Sequence, residues 1–252
     1  MQILAQFLLR LAFGLATGMG ITSSRQVTSG FFRNHLYVTL GLATLAAMLL
    51  ASLSTTAMWL AVAAAIFSYV GAAAWLYEAR RLGKVMLWLV AACSLTAAVI
   101  NPLVASTTQA IASIQLWSSF SVATSGLVLG LTMAAMLLGH WYLNAPGMEL
   151  APLRYLLAAA AVALLIQSLV VGSGLVAEIS ARPSVSIAWL LFVVLRWSFG
   201  ICGVLALLWM AWRTLDIPNT QSATGILYVA VLGVFIGELT GLLLSAESLY
   251  PL

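Results

Sequence analysis

Long apolar runs separated by short polar breaks make up most of this 252-residue sequence. A helix needs about 20 apolar residues to cross a bilayer core of roughly 30 Å. Only 6% of the residues are charged, against about 25% in ordinary soluble domains. The pattern predicts an all-α, polytopic integral membrane protein with a single transmembrane domain over residues 1–252. Eight spans are expected, at about 3–22, 36–54, 57–77, 85–105, 117–142, 153–176, 186–212 and 223–245.

The first apolar run reads MQILAQFLLRLAFGLATGMG. A cleaved signal peptide has a charged region, then an apolar region, then small residues at the cleavage site. Arg10 lies inside the apolar run instead of before it. We therefore expect this segment to remain as the first membrane helix.

Lysine and arginine are distributed unequally between alternate loops. Cytoplasmic loops of multi-pass proteins carry the excess of these residues. The segments around the loops after spans one, three, five and seven contain seven of them, whereas the opposite segments contain Arg182 alone. The count predicts a bacterial-type inner membrane protein with both termini outside the cytoplasm. The seven residues are Arg25, Arg33, Arg80, Arg81, Lys84, Arg154 and Arg213.

Two segments of the chain look alike: AMWLAVAAAIFSYVGAAAWLYEARR at 57–81 and IAWLLFVVLRWSFGICGVLALLWMAWR at 187–213. Each has an early Trp, small residues in mid-helix, and an aromatic residue shortly before a final Arg. The similarity predicts repeat halves at 1–112 and 113–252, arranged as two parallel four-helix bundles. The alternative is that two apolar helices with interfacial aromatic residues resemble each other without a duplication.

Three ionisable residues fall within the predicted spans, at similar depth in the outer half of the membrane: Arg10, Arg196 and Glu238. Such residues are expensive in a bilayer and are functional candidates by default. One interpretation is an Arg196–Glu238 ion pair that joins the last two helices, with Arg10 extending towards the surface. The other is a proton- or anion-handling site, in which the flanking Gly237 and Gly241 let a helix or a ligand approach Glu238.

The two histidines, His35 and His140, are both predicted at the cytoplasmic face. Histidine, tyrosine, asparagine and arginine side chains with aromatic walls suit a quinone headgroup, so this face is a candidate site for quinone or lipid. The alternative is an interfacial belt that anchors helix ends without a ligand. The candidate ligand-binding residues are His35, Arg33, His140, Trp141, Tyr142 and Asn144, with Arg25, Asn34, Tyr37 and Arg154 nearby.

Metal and cofactor sites have little support in the sequence. Two histidines allow at most one bis-histidine haem b, and His35 stands at a helix start, whereas such ligands are usually buried within helices. No cysteine or carboxylate stands at metal-ligand spacing to either histidine, and Cys93 and Cys202 fall in separate apolar runs. Phosphate-binding, nucleophile-elbow, zinc-protease and dinucleotide motifs are absent. Catalysis by this chain alone is not expected.

Eight spans in two parallel bundles, without a soluble domain and with a polar cluster at one face, resemble in outline the polysulfide-reductase-type membrane anchors. These are quinone-reactive subunits of bacterial respiratory complexes. The resemblance covers the whole chain, is architectural, and matches no diagnostic motif. It implies a haem-free subunit that exchanges electrons between a quinone and iron–sulfur partners in other chains.

The leading functional hypothesis is therefore an integral membrane subunit of a larger complex, of the respiratory or electron-transfer kind, which binds quinone or lipid near the cytoplasmic face. Its partners would be membrane lipids and other subunits. Nucleic acid is not expected, because the basic residues form no dense patch. Two alternatives stay open: a small-solute or proton-coupled transporter that uses Arg10, Arg196 and Glu238, and a structural or assembly protein without a ligand.

Overall fold

The computed structural model describes residues 1–103, 112–145, 147–182, 185–217 and 219–252. Over that part of the chain every regular element is a helix, which confirms the predicted all-α architecture. The elements are α1 (Gln2–Ile21), α2 (Ser29–Leu50), α3 (Thr55–Leu76), α4 (Arg80–Ile100), α5 (Ala112–Asn144), α6 (Ala151–Ala181), α7 (Ile187–Leu195), a π-helical segment (Arg196–Gly203), α8 (Val204–Thr214) and α9 (Thr220–Ala246).

Among the described residues, seven helices are long and apolar enough to cross a membrane, with α7, the π segment and α8 counted as one rod. The chain is therefore a multi-pass membrane protein. The second predicted span, α2, is outside these seven although it has 22 residues, which corresponds to about 33 Å. Its first turns contain Arg33, Asn34 and His35, which lower its mean hydropathy. That α2 crosses the membrane stays a prediction.

The boundaries of the spans differ from the predicted ones by several residues. Helix α5 begins at Ala112 instead of 117, and α6 continues to Ala181 instead of 176. The predicted end of the fourth span at 105 lies outside the described residues. The helices continue past the predicted ends through mixed polar and apolar residues, so hydropathy alone does not mark where they stop.

Contacts between loops define two ends of the bundle. At one end, Arg80 donates to Ser24 O, Gln26 contacts Glu149, and Arg154 pairs with Asp216. These contacts join the segments after α1, α3, α5 and α8. All seven loop cations of the sequence count lie at this end, which we call the basic end. At the opposite end, Gln2 Nε2 donates to Pro102 O and Arg182 donates to Glu247 O.

Two inner helices form the centre of the bundle. Within their membrane windows α1 is 83% buried and α5 is 78% buried, whereas the other five candidate spans are between 28% and 56% buried. Helices α1 to α4 pack on one another, α5, α6, α8 and α9 form a second set, and the contact between α1 and α5 joins the two sets. The repeat halves stay a prediction. Helix α3 is continuous, whereas its predicted counterpart contains the π segment.

Candidate functional site

Four polar residues from four helical segments meet in the core, and we call them the charge cluster: Arg10, Ser125, Arg196 and Glu238. Ser125 Oγ accepts a hydrogen bond from Arg10 Nη1 at 3.1 Å and donates one to Glu238 Oε2. On the other side of the carboxylate, Arg196 Nη2 lies 3.5 Å from Glu238 Oε1. The structure thus brings the three predicted intramembrane charges together, and Arg10 points inward to Ser125 instead of towards the surface.

Arg10 is also connected to the opposite end of the bundle. Its Nε donates to Gln6 Oε1 at 3.2 Å, and Gln6 Nε2 donates to Ala98 O at 2.8 Å and to Asn101 O. Helix α1 positions Gln6 and Arg10 one turn apart on the same face, so that both side chains can join one network. A line of hydrogen bonds therefore leads from the end of α4 to Glu238.

The charges of the cluster do not balance. Two arginines share one glutamate, and these three side chains are 9%, 3% and 5% exposed for Arg10, Arg196 and Glu238. An uncompensated charge in an apolar interior is costly, because neither water nor a counter-charge stabilises it. Arg196 Nη1 donates to Gly237 O at 3.1 Å, but its Nε is buried without a hydrogen-bond partner among the described residues.

Glycines make room for the cluster. A Cβ atom on Gly241 would lie 1.1 Å from Arg196 Nη1, so only glycine leaves space for the guanidinium at that point of α9. Gly200 and Gly237 meet at the crossing of the π segment and α9, where a Cβ on Gly200 would lie 2.5 Å from Gly237 Cα. The close approach of these two backbones places Arg196 beside Glu238.

The same local sequence occurs at both arginines, as LRLAFG at 9–14 and LRWSFG at 195–200. In α1, a Cβ on Gly14 would lie 1.8 Å from Gly126 O, so this glycine also permits a close helix crossing, here with α5. Each arginine therefore lies one helical turn before a glycine at which two helix backbones come close, Gly14 with Gly126 and Gly200 with Gly237. The shared motif is a sequence signal for an arginine beside a close helix crossing, and a count of charged residues does not reveal it.

The π segment begins at Arg196 itself. The sequence predicted one span over about 186–212, and the structure has one helical rod there, Ile187–Thr214, in which residues 196–203 are π-helical. Hydrogen bonds in a π-helix run from i to i+5, and such stretches are rare and are frequently found at functional sites. The wider turn changes the direction of the side chains that follow, compared with a regular α-helix.

The predicted quinone or lipid residues lie at the basic end, where the two histidines make different contacts. His35 is buried, its Nδ1 is 2.6 Å from Phe31 O, and its ring is 6.2 Å from the Trp141 ring. His140 is exposed and contacts a different helix, with its Nδ1 3.2 Å from the Tyr228 hydroxyl of α9. Successive residues of α5 point about 100° apart, so His140 and Trp141 face different neighbours.

The other three predicted residues are equally separate. The Tyr142 hydroxyl is used within the chain, because it donates to Glu149 O in the segment between α5 and α6. Asn144 is exposed and Arg33 is half-buried, and neither side chain has a hydrogen bond to another described residue. Of these six residues, His35 and Trp141 have adjoining rings, and a ligand-binding role for the six stays a prediction.

Sequence reasoning missed three buried polar arrangements. Lys84 Nζ donates to the carbonyls of Gly20 and Thr22 at the end of α1. Glu178 accepts from Arg182 Nε at 2.5 Å and from the backbone N–H of Leu249 at 3.0 Å, which holds the 247–252 segment against α6. The sequence signals one of these contacts, because Glu178 and Arg182 are four residues apart and such pairs lie on the same helix face.

The third missed arrangement lies beside the cluster. Thr124 donates to Gln167 Oε1 on α6, and Gln167 Nε2 is buried without a partner among the described residues. A glutamine inside an apolar run is a recognisable signal in a membrane helix, since it needs a partner there. Thr124 directly precedes Ser125, so its contact with Gln167 extends the polar part of the core from α5 towards α6.

Comparison with protein families, with curated proteins and with solved structures finds no match to this chain. Within the described ranges, no group of three His, Cys, Asp or Glu side chains is arranged to hold a metal ion. The geometry of the charge cluster is therefore the main basis for a functional proposal.

Proposed function

We propose that the chain is a small-solute transporter of a bacterial-type inner membrane, and that the charge cluster is its solute site. The observation that carries the proposal is the continuous contact from Arg10 through Ser125 and Glu238 to Arg196 in the centre of the bundle. Charged residues within membrane spans commonly mark solute pathways or proton relays.

The charge balance supports a role in handling solute. The cluster has one excess positive formal charge, which an anionic group would neutralise. Glu238 would then act as an internal counter-ion that holds the arginines while no solute is bound, and that competes with the solute during release. This arrangement ties occupancy of the site to the contacts between α1, the π segment and α9.

The helix geometry around the cluster supports a moving site. Part of a rod of 28 residues is π-helical, and π-helical turns are frequently found at functional sites. Gly200 and Gly237 leave no side chains interlocked at the crossing. Small changes in helix position are therefore less obstructed there than in a crossing of large side chains.

The orientation of the chain is also part of the proposal. The basic end carries seven Lys and Arg residues and the opposite end carries Arg182. The positive-inside rule assigns the basic end to the cytoplasm and both termini to the other side. The network from Asn101 through Gln6 to Arg10 would then connect the cluster with the outer face.

Flux measurements on reconstituted vesicles test the proposal. Vesicles that contain the purified protein, potassium gluconate and valinomycin are placed in potassium nitrate, chloride or formate. Entry of the anion with potassium swells the vesicles and lowers light scattering. We expect swelling several-fold faster than in protein-free vesicles for at least one salt, and a fall to the protein-free rate in Glu238→Gln.

The matched control is Glu78→Gln, which removes an exposed carboxylate in the turn between α3 and α4 and should leave the rate unchanged. A rate that depends on pH in the native protein and not in Glu238→Gln would assign proton coupling to Glu238. Native swelling at the protein-free rate in all three salts contradicts the proposal, as does a native rate in Glu238→Gln.

A second candidate function is supported by one contact at the basic end. The rings of Phe31, His35 and Trp141 adjoin one another, with the Phe31 and His35 centroids 4.5 Å apart. Aromatic walls beside a histidine would suit a quinone headgroup or a lipid in a membrane subunit of an electron-transfer complex. Co-purification with subunits that carry iron–sulfur clusters would favour this function.

A binding experiment separates the second candidate from the first. Binding of a quinone analogue to the purified protein should be lost in His35→Ala or in His140→Ala if either histidine contacts the headgroup. Unchanged binding in both variants removes the histidines from the proposal. Neither variant should alter nitrate flux through the charge cluster.

A further inference from the structure

The loop cations of the basic end form two corners with different charge balance. At one corner, Arg154 Nη2 lies 3.3 Å from Asp216 Oδ1, and Arg213 Nη1 lies 3.6 Å from Asp216 Oδ2. At the other corner, Arg80 Nη1 donates to Ser24 O at 3.2 Å, which joins the turn between α3 and α4 to the segment after α1. The first corner has an internal counter-ion, whereas this contact of the second is made to a neutral carbonyl.

Three exposed arginines belong to the second corner, and we call them the arginine patch: Arg25, Arg80 and Arg81. Arg25 directly follows Ser24 and Arg81 directly follows Arg80, so the contact between Ser24 and Arg80 brings the three residues to one corner. The side chains of Arg25 and Arg81 make no hydrogen bond or ion pair with another described residue. Their guanidinium groups are therefore open to a partner outside the chain.

The other charged groups around this corner leave the patch positive. Lys84 is directed inward, because its Nζ donates to Gly20 O at 2.6 Å and to Thr22 O. Two carboxylates are nearby: Glu78 is exposed in the turn between α3 and α4, and Glu149 contacts the segment after α1 through a glutamine. The three arginines outnumber these two carboxylates, and none of them lies within ion-pair distance of either one.

An exposed apolar stripe of α4 begins next to the patch. Val85 and Trp88 lie four and seven residues after Arg81, on the same face of the helix, and they are 52% and 47% exposed. The Trp88 ring packs against α1, where a Cβ on Gly20 would lie 3.2 Å from it. Exposed apolar side chains of a membrane helix contact acyl chains, and tryptophan is enriched at the level of the headgroups. The patch therefore lies where the headgroup of a lipid beside α4 would be.

We propose that the arginine patch binds the phosphodiester headgroup of an anionic phospholipid, with an acyl chain along Val85 and Trp88. The negative phosphodiester complements the unpaired arginines, whose planar sets of donors suit phosphate oxygens. A zwitterionic lipid carries its own cation beside the phosphate and would gain less from the patch. The site is separate from the six residues predicted for quinone or lipid, and it does not depend on solute transport.

Lipid binding to the purified protein tests the proposal. The protein in detergent micelles is titrated with phosphatidylglycerol or with phosphatidylcholine of the same acyl chains, and native mass spectrometry measures the bound lipid. We expect the first phosphatidylglycerol to bind about tenfold more tightly than phosphatidylcholine. Arg25→Gln and Arg81→Gln should each weaken its binding about fivefold, which is the effect of one basic residue near a membrane surface.

Two further variants make the test specific. Arg213→Gln is the matched control, because it removes an exposed arginine from the same end of the bundle but from the corner that contains Asp216. Its affinity for phosphatidylglycerol should equal that of the native protein. Glu78→Gln removes a carboxylate beside the patch, so it should tighten binding, by up to about fivefold. A merely structural effect of these exposed substitutions would not change sign with the charge that is removed.

Equal affinities for the two lipids in the native protein would overturn the proposal, as would equal losses in Arg213→Gln and Arg81→Gln. Inorganic phosphate, added at the same concentration as the lipid, separates the two sources of a phosphate group. Displacement of phosphatidylglycerol by inorganic phosphate would show that the patch recognises free phosphate instead of a lipid. The patch is separate from the charge cluster, so these outcomes leave the vesicle-swelling test of transport unaffected.

Discussion

The two LRxxFG segments use the same residues at two helix crossings and arrive at different arginine environments. In α1, Arg10 belongs to a regular helix and hydrogen bonds to the neutral side chains of Gln6 and Ser125. In the rod that starts with α7, Arg196 begins the π segment, pairs directly with Glu238, and keeps one donor without a partner. Each arginine has hydrogen bonds from two of its nitrogens, but the Arg196 Nε is buried without a partner among the described residues.

The difference indicates that backbone context, and not the motif, decides what such an arginine does. A regular helix and hydrogen bonds from Nε and Nη1 hold the Arg10 side chain. A π-helical turn beside a glycine crossing leaves Arg196 with an unmatched charge and an unmatched donor. We expect changes near Arg10 to affect folding, and changes near Arg196 to affect binding as well.

The largest effect is expected at the α1–α5 crossing. In Gly14→Ala the new Cβ would lie 1.8 Å from Gly126 O, which requires the two backbones to separate. Overpacking usually costs about 1–3 kcal/mol, and a backbone clash at the centre of the bundle should exceed that range. The yield of monodisperse protein in size-exclusion chromatography should fall to background. Gly41→Ala is the control, because no atom lies within 4 Å of its Cβ, and it should purify normally. Equal yields of Gly14→Ala and Gly41→Ala would contradict the close approach of the backbones at Gly14.

The next effect separates the two arginines. Arg196→Gln removes the direct partner of Glu238, and breaking a buried ion pair typically costs about 3–5 kcal/mol. Arg10→Gln removes hydrogen bonds to neutral groups, at about 1–3 kcal/mol, and also removes the excess charge. The midpoint of thermal unfolding should therefore fall further in Arg196→Gln. The reverse order would show that Arg10 is the main partner of Glu238.

A smaller effect is expected where α1 ends. Lys84 Nζ donates to Gly20 O and Thr22 O, so it satisfies carbonyls that the end of a helix leaves free. Lys84→Met should lower the free energy of unfolding by about 1–3 kcal/mol, in line with hydrogen bonds to a charged group. Arg80→Met is the control, since Arg80 is exposed and has one such contact, with Ser24 O. Equal losses in the two variants would mean that α1 is not anchored by Lys84.

The smallest effect on stability and flux is expected for the exposed contact between Tyr228 and His140 at the basic end. Tyr228→Phe removes the hydroxyl that lies 3.2 Å from His140 Nδ1. Exposed substitutions away from buried contacts usually change stability by less than about 0.5 kcal/mol. Unfolding and nitrate flux should both match those of the native protein. A large loss of flux would move the functional site from the cluster to the basic end.

Much of the fold could be predicted from the sequence because membrane crossing imposes one strong pattern. Long apolar runs located the helices, and the alternation of Lys and Arg matches the two ends that loop contacts define. The meeting of Arg10, Arg196 and Glu238 could also be anticipated, since charges are rare in this chain and each needs a partner in an apolar interior. A role for these residues stays a proposal.

Other features could not be predicted from the sequence. Which side of α5 faces which neighbour depends on helix rotation, so the sequence grouped His140 with His35 although they contact different helices. Ser125 and Gln6 are ordinary polar residues in membrane helices until the contact with Arg10 is known. The residues of the π segment resemble those of a regular membrane helix, so its π-helical bonding could not be read from the sequence.

The central claim is that Arg196, and not Arg10, binds the transported solute. Nitrate-driven swelling of vesicles tests it most directly in Arg196→Lys and Arg10→Lys, which keep each positive charge and remove the planar set of donors. We predict the protein-free rate for Arg196→Lys and a nearly native rate for Arg10→Lys, at equal amounts of reconstituted protein. A native rate in Arg196→Lys would contradict the claim.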